Sequence, residues 1–331
     1  MKLRYAYTLP ALAALLILSG FSSEGTYFPA PIKEPVAAVY LNVSSTGIYD
    51  ESTESEKACT EITDTVNNIC NLRSISNNSE PTQKYKELSL NFLQNSIISG
   101  FLKIEELFFY YKNQDEYALI ANGSFNLDDI AAKTKAVAIY NENNEIIKIS
   151  SAINTEAETT TKQRLFMQAV NDTIIICPEN NAGNIIESIE NNQNFLGEKF
   201  KTFEQMVKFR PAIGAEINLE EVTSNKSQKS SLPQNLAATN VIRLLVATRQ
   251  NKLQINIPKE EDRQKLKEEL AQQIDNLNAM FDNKTDYKLT EGKTSLFFEA
   301  KANKEQMQSV SRKAMAFMLH FFVKNIPSDQ Q

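Results

Sequence analysis

Residues 103–125 read as "KIEELFFYYK" and "EYALIANGSF" on either side of Asn113, Gln114 and Asp115. Both runs have strand length and strand residues, and three polar positions between them suit a hairpin turn. So short a break forces an antiparallel pair, because parallel neighbours need a crossover of about a dozen residues or more. Any fold for this chain must therefore contain an antiparallel ladder here. Within "LFFYY", Phe108 and Tyr110 point to one side of the strand and Leu107, Phe109 and Tyr111 to the other. Aromatics on both sides make either a ligand platform or, more ordinarily, one row in a core and one beneath a loop or helix.

The same grammar recurs along the chain. "VAAVYLNV" (36–43) has strand character, and Thr82–Ser99 carries Leu88, Phe92, Leu93 and Ile97 at helical spacing before Gly100. "NLDDIAAKT" is a short helix with Asn126 as its cap, "AVAIYNENNEIIKIS" a second hairpin, "DTIIICP" a buried strand, and "NAGNIIESIENN" a helix. "PAIGAEINLE" is another strand, followed by the polar, low-complexity run "TSNKSQKSSLPQNL" (223–236). Beyond it come the hairpin "VIRLLVATRQNKLQINIP", an amphipathic helix with Leu266, Leu270, Ile274, Leu277 and Phe281, the hairpin "YKLTEGKTSLFFEAKA", and a closing helix. Hairpins alternating with single helices predict an α+β fold, with two modules of antiparallel sheet and helices packed on one face of each. The expected division is 24–222 for the N-terminal domain, 223–239 for a polar linker or loop, and 240–326 for the C-terminal domain. The C-terminal order of two strands, helix, two strands, helix is compatible with a ferredoxin-like split arrangement.

The first residues have the form of an export signal. Lys2 and Arg4 precede an apolar run from Leu9 to Leu18, and small residues follow at Gly20 and Ser22. That run is about ten residues, half of what a spanning helix needs. Residues 1–22 are thus expected to be a signal peptide, and the mature protein to be secreted or periplasmic, without an integral membrane segment. The formal net charge of -6 becomes more negative when Lys2 and Arg4 leave. An acidic chain is a poor match for nucleic acid or an anionic membrane surface. The partner class that remains is another envelope or secreted protein.

The chemistry available is limited. His320 is the single histidine, which excludes sites built on two imidazoles. Nine glycines form neither a phosphate loop nor a dinucleotide fingerprint, so no cofactor and no metal are expected. Adjacent carboxylates occur at Asp128-Asp129, Glu220-Glu221 and Glu260-Glu261. Neighbours in sequence diverge on a helix or strand, so none is a ready-made catalytic pair, and two of them complement helix N-termini. No catalytic residue is assigned. Two readings follow: a non-enzymatic binding or interaction protein, or a hydrolase whose distant carboxylates converge on a sugar or peptide. The closing helix, apolar on more than one face, either packs on the preceding hairpin or offers Met315, Met318, Phe321 and Phe322 to a partner.

Cys59 and Cys70 pose a choice of geometry. Cys59, Ile62, Val66, Ile69 and Cys70 form a helical stripe. One continuous helix would hold the two backbones about 16.5 Å apart, whereas a disulfide tolerates roughly 7 Å. The stripe favours buried thiols, while β-branched residues, Asn67-Asn68 and an oxidising destination favour a Cys59–Cys70 bond. A bond involving Cys177, the third thiol, on a strand that reads as buried, is the remaining alternative.

Overall fold

The computed structural model describes residues 29–49, 53, 56–58, 60–62, 64–65, 102–113, 116–134, 137–143, 146–153, 165–170, 172–191, 195–220, 238–247, 250–280, 287–301 and 303–325. Residues 1–22, expected to be a signal peptide, residues 82–99, expected to be helical, Cys59, Cys70 and residues 223–236 lie outside the described residues.

Twelve strands form one sheet: β1 Ala37–Asn42, β2 Leu102–Asn113, β3 Glu116–Phe125, β4 Val137–Tyr140, β5 Ile146–Ile153, β6 Leu165–Val170, β7 Thr173–Pro178, β8 Ile213–Asn218, β9 Val241–Ala247, β10 Gln250–Asn256, β11 Tyr287–Glu291 and β12 Ser295–Ala300. Their order is β11-β12-β10-β9-β8-β1-β2-β3-β7-β6-β5-β4, antiparallel at every pairing. The α-helices with defined bounds are α1 Leu127–Thr134, α2 Ala182–Glu190, α3 Lys201–Lys208, α4 Glu260–Met280 and α5 Lys304–Asn325. The fold is α+β, as the hairpins require. The strands of the two halves are continuous, however, where two sheets are expected from sequence. β8 pairs with β1 on one side and β9 on the other, so the halves share one ladder.

Helices cover both faces of the middle of this sheet, not one. On the first face Ala38, Tyr40, Phe108, Tyr110, Ile120, Ile175 and Cys177 pack beneath Ile185 and Ile189 of α2 and Phe203 and Val207 of α3. The proline-containing segment before β1 lies on the same side, tied down by the Tyr110 hydroxyl donating to the Pro29 carbonyl at 2.6 Å. On the second face Leu41, Leu107, Phe109, Leu119, Ile176 and Ile213 pack against Met307, Met315, Ala316 and Met318 of α5 and against Ala58 and Ile62. Both rows of "LFFYY" are thus core, because β2 is a central strand with a layer on each side. Further along, Leu266 of α4 covers Ile255 and Leu296, again on the second face. Burying one aliphatic or aromatic side chain is worth about 1.5–3 kcal/mol, which is why a double-sided core can hold so long a sheet together.

Local sequence explains the joints. Asn126 accepts from the Asp128 N–H at 3.1 Å and starts α1. The Gly292 N–H donates to the Ser295 carbonyl at 2.8 Å, closing the β11–β12 hairpin. A Cβ at Gly292 would stand 3.0 Å from Phe297 Cε2, so this tight turn favours glycine. α4 carries Glu260, Glu261 and Asp262 in its first turn, where the helix dipole favours them.

Candidate functional site

The buried charged residues among those described, Glu106, Glu216, Arg263 and Arg312, each belong to an arginine–carboxylate pair, and one pair reaches the surface as a candidate site. β2 bulges between Ile104 and Glu106, opposite Asn42 of β1. A bulge re-aims the side chain beside it. Glu106 is buried, and its Oε1 accepts from the Tyr40 hydroxyl at 2.8 Å and pairs with Arg210 Nε at 3.3 Å. The Tyr40 ring sits fully inside the first-face core, 5.1 Å from the ring of Phe108. Burial, then the charge of Glu106 and the bond to it, push the Tyr40 phenol far above its ordinary pKa, against a small opposing effect of Arg210. The phenol is therefore a fixed donor and no proton shuttle.

Arg210 follows α3, and its N–H donates to the Val207 carbonyl at 2.8 Å. Its φ is 46°, the left-handed region that a helix end usually gives to glycine or asparagine. An arginine held there costs roughly 1–2 kcal/mol of backbone strain. Nε is committed to Glu106, while Nη1 and Nη2 have no partner among the described residues. The side chain is 59% exposed, and Phe209 beside it is 54% exposed. The result is a guanidinium held by a carboxylate from another element, on the residue that follows an exposed phenylalanine. That arrangement can hold a carboxylate or another planar anion on two parallel N–H groups.

The other pairs fasten elements together. Arg312 of α5 is 2% exposed; its Nε donates to the Thr46 carbonyl at 2.8 Å and its Nη1 to Glu61 Oε2 at 3.0 Å. The Ser309 hydroxyl donates to Glu61 Oε1 at 2.5 Å. Burial alone would raise the Glu61 pKa, but the Ser309 and Arg312 bonds and the charges of Arg312 and Lys313 outweigh it, so the carboxyl is held below its ordinary value. Bonds from Lys267 and Arg263 lower Glu291 likewise, and Gln264 joins them, clamping α4 to β11. Glu216 of β8 accepts from Arg243 Nη2 of β9 at 2.8 Å; Glu216 Oε2 and Arg243 Nε are buried without a partner.

Among the residues singled out from sequence, Met315 and Met318 are buried in the second-face core. They offer no free surface in this conformation; the side chains of His320, Phe321 and Phe322 lie outside the described residues. Cys177 is a free, buried thiol, and burial pushes its pKa up to about 12. Glu220 accepts from the Asn240 amide. Sequence reading missed Glu106, Arg210, Glu61, Arg312, Glu216 and Arg243. A signal existed for some of them: one charge inside an apolar run, as in "VIRLLVA" and "AIGAEIN". Such a charge must find a partner or stay out of the core.

No protein-family profile matches the chain, and no curated protein does. Among solved structures, one described as crystal form I of TP0453 superposes over 88% of this chain and 99% of its own, at 8% identity and a TM-score of 0.45. Among the described residues no helix is long and apolar enough to cross a membrane.

Proposed function

We propose that this is an exported, non-enzymatic binding protein of the periplasm or cell envelope, which engages another envelope or secreted protein through the Phe209–Arg210 corner. The observation that carries the reading is Arg210 itself, a strained and exposed arginine whose Nε is paired with a buried glutamate and whose outer nitrogens have no hydrogen-bond partner among the described residues. Strain at one residue that the fold could relieve with glycine marks a position kept for its side chain. The ligand chemistry is a carboxylate or similar planar anion, presented next to an apolar group that lies on Phe209.

The alternative, hydrolysis by convergent carboxylates, draws no support from the glutamates described above. A general acid needs a raised pKa and a facing partner carboxyl. Glu61 and Glu291 are shifted the other way, and Glu106, Glu216, Glu61 and Glu291 each face a cation. We also read β9–β12 with α4 and α5 as the ferredoxin-like split arrangement. Its support is that β10 and β11 both run antiparallel to the β12 between them, with α4 as their connection.

The test is a photo-crosslinking residue in place of Phe209, used in the producing cell with Arg210 intact and as Arg210→Ala. A discrete protein adduct that falls at least tenfold in the Arg210→Ala background, at unchanged expression, is the expected result. An adduct pattern indifferent to Arg210 sinks the assignment.

A further inference from the structure

On the first face of the sheet the apolar core gives way to a polar row. Tyr40, Phe108, Ile120 and Ile175 are paired across β1, β2, β3 and β7, and all four are core. Two residues along each strand, on the same face, stand Asn42, Glu106, Asn122 and Thr173, paired in the same order. Asn42, Asn122 and Thr173 are half-buried and keep some contact with solvent. Not every polar atom of the row is used. Asn42 Oδ1 accepts from the Ser44 N–H at 3.2 Å, Asn122 Oδ1 accepts from the Thr173 hydroxyl at 3.3 Å, and Glu106 Oε1 is shared by Tyr40 and Arg210. Glu106 Oε2 and Asn122 Nδ2 have no hydrogen-bond partner among the described residues. Glu106 is 8% exposed, and an unpaired oxygen on so buried a carboxylate calls for a donor.

We infer, resting on the Phe209–Arg210 corner as the docking point, that this row is the floor of a subsite for the free C-terminus of the partner polypeptide. Three groups follow one another across the strands: the Nη1–Nη2 edge of Arg210, then Glu106 Oε2, then Asn122 Nδ2. They are a cation, an acceptor and a donor. The end of a polypeptide, read inward, offers a carboxylate, an N–H and a carbonyl, in that order. The guanidinium is planar, so a carboxylate at Nε leaves the Nη1–Nη2 edge whole, and that edge takes the terminal carboxylate on two parallel N–H groups. The last peptide N–H donates to Glu106 Oε2, and the carbonyl before it accepts from Asn122 Nδ2. Glu106 and Asn122 are directly opposed on neighbouring strands, about 5 Å apart at Cα, so one terminal residue reaches both. Other sources of a carboxylate match less of the row. An internal Asp or Glu holds its carboxylate away from the main chain and fills the first position alone. A free amino acid fills the first two positions and has no carbonyl for the third.

Two measurements on the intact protein test it. The photo-adduct at position 209, digested and sequenced by mass spectrometry, is expected to join that position to one of the last few residues of the captured protein. Affinity selection on the purified protein from a pool of random short peptides with free C-termini should retain them over the same pool amidated at the C-terminus by about tenfold or more, the worth of one charge-assisted pair. Methylating the last peptide nitrogen should weaken retention several-fold. Arg210→Ala should remove the difference between acid and amide, and Asn122→Ala should weaken the acid pool several-fold, both with the circular dichroism of the wild type. An Arg210-dependent adduct that maps to an internal peptide overturns the inference and leaves the docking corner standing, whereas no Arg210-dependent adduct at all removes both. Acid and amide pools that bind alike or not at all also overturn it. So does a terminus indifferent to N-methylation, or free amino acids that compete as well as the peptides, which would make the ligand a small molecule.

Discussion

Replacing Arg312 with alanine should be among the most damaging single changes in the protein. The guanidinium is 2% exposed and donates to the Thr46 carbonyl and to Glu61, a side chain 26% exposed. Hydrogen bonds to charged groups contribute about 1.5–3 kcal/mol, and stripping one partner from a buried ion pair costs about 3–5 kcal/mol. Because Glu61 keeps some contact with water, the lower part of that range applies, about 3 kcal/mol. The loss falls on one place in the fold: Arg312 joins α5 to the 3-10 turn Val43–Thr46 and to the helical residues around Glu61. Urea unfolding followed by circular dichroism reads it as a fall in midpoint of roughly 1 M, for an m-value of about 3 kcal/mol/M. A double-mutant cycle with Glu61→Ala should return a coupling of about 2 kcal/mol. A midpoint within a few tenths of a molar of wild type, or a coupling near zero, would show that the pair does not fasten α5.

Three further outcomes follow from the same geometry. Glu61 has its folded pKa below the unfolded value near 4.3, so it stabilises the protein at neutral pH and loses that contribution as the pH falls through the folded pKa. The stability gap between wild type and Glu61→Gln should accordingly narrow below about pH 4 in urea titrations, and a gap constant to pH 2 would refute it. Arg210→Gly relieves about 1 kcal/mol of left-handed strain but leaves Glu106, buried and still bonded to Tyr40, without its cation at a cost of about 1–3 kcal/mol, so stability should fall by no more than about 2 kcal/mol while the Phe209 adduct disappears. A loss well beyond that would make Arg210 a structural residue. Cys177, buried and with its thiol pKa pushed up to about 12, should resist iodoacetamide at pH 8 in the native protein and react fully in denaturant.

Much of the local structure was legible. The hairpin at 103–125 became β2 and β3, "AVAIYNENNEIIKIS" became β4 and β5, and Asn126 caps α1 as its position suggests. α4 lies where Leu266 and Leu270 recur at helical spacing, and both pack toward β10 and β12. Two elements were passed over. "LFMQAV" alternates weakly, with Gln168 breaking the apolar run, yet it is β6. α3 is short, and its Phe203 and Val207 read as helical only once a sheet is present to receive them. The candidate site was not legible at all: Tyr40 and Glu106 are 66 residues apart and Arg210 belongs to a third segment.

The sequence alone determined most of the described elements of this protein and the sense of its short hairpins. Strand alternation, three-residue breaks and helix caps act over a few residues, so short hairpins had to be antiparallel and the fold α+β. Tertiary structure decided that the two halves share one sheet, because β8 had free edges on both sides and found β1 and β9. It also decided which arginine meets which glutamate. Glu61 and Arg312 are 251 positions apart. A lone charge in an apolar run announces only that it needs a partner; chain topology chooses the partner, since the attraction depends on distance in space and on exclusion of water.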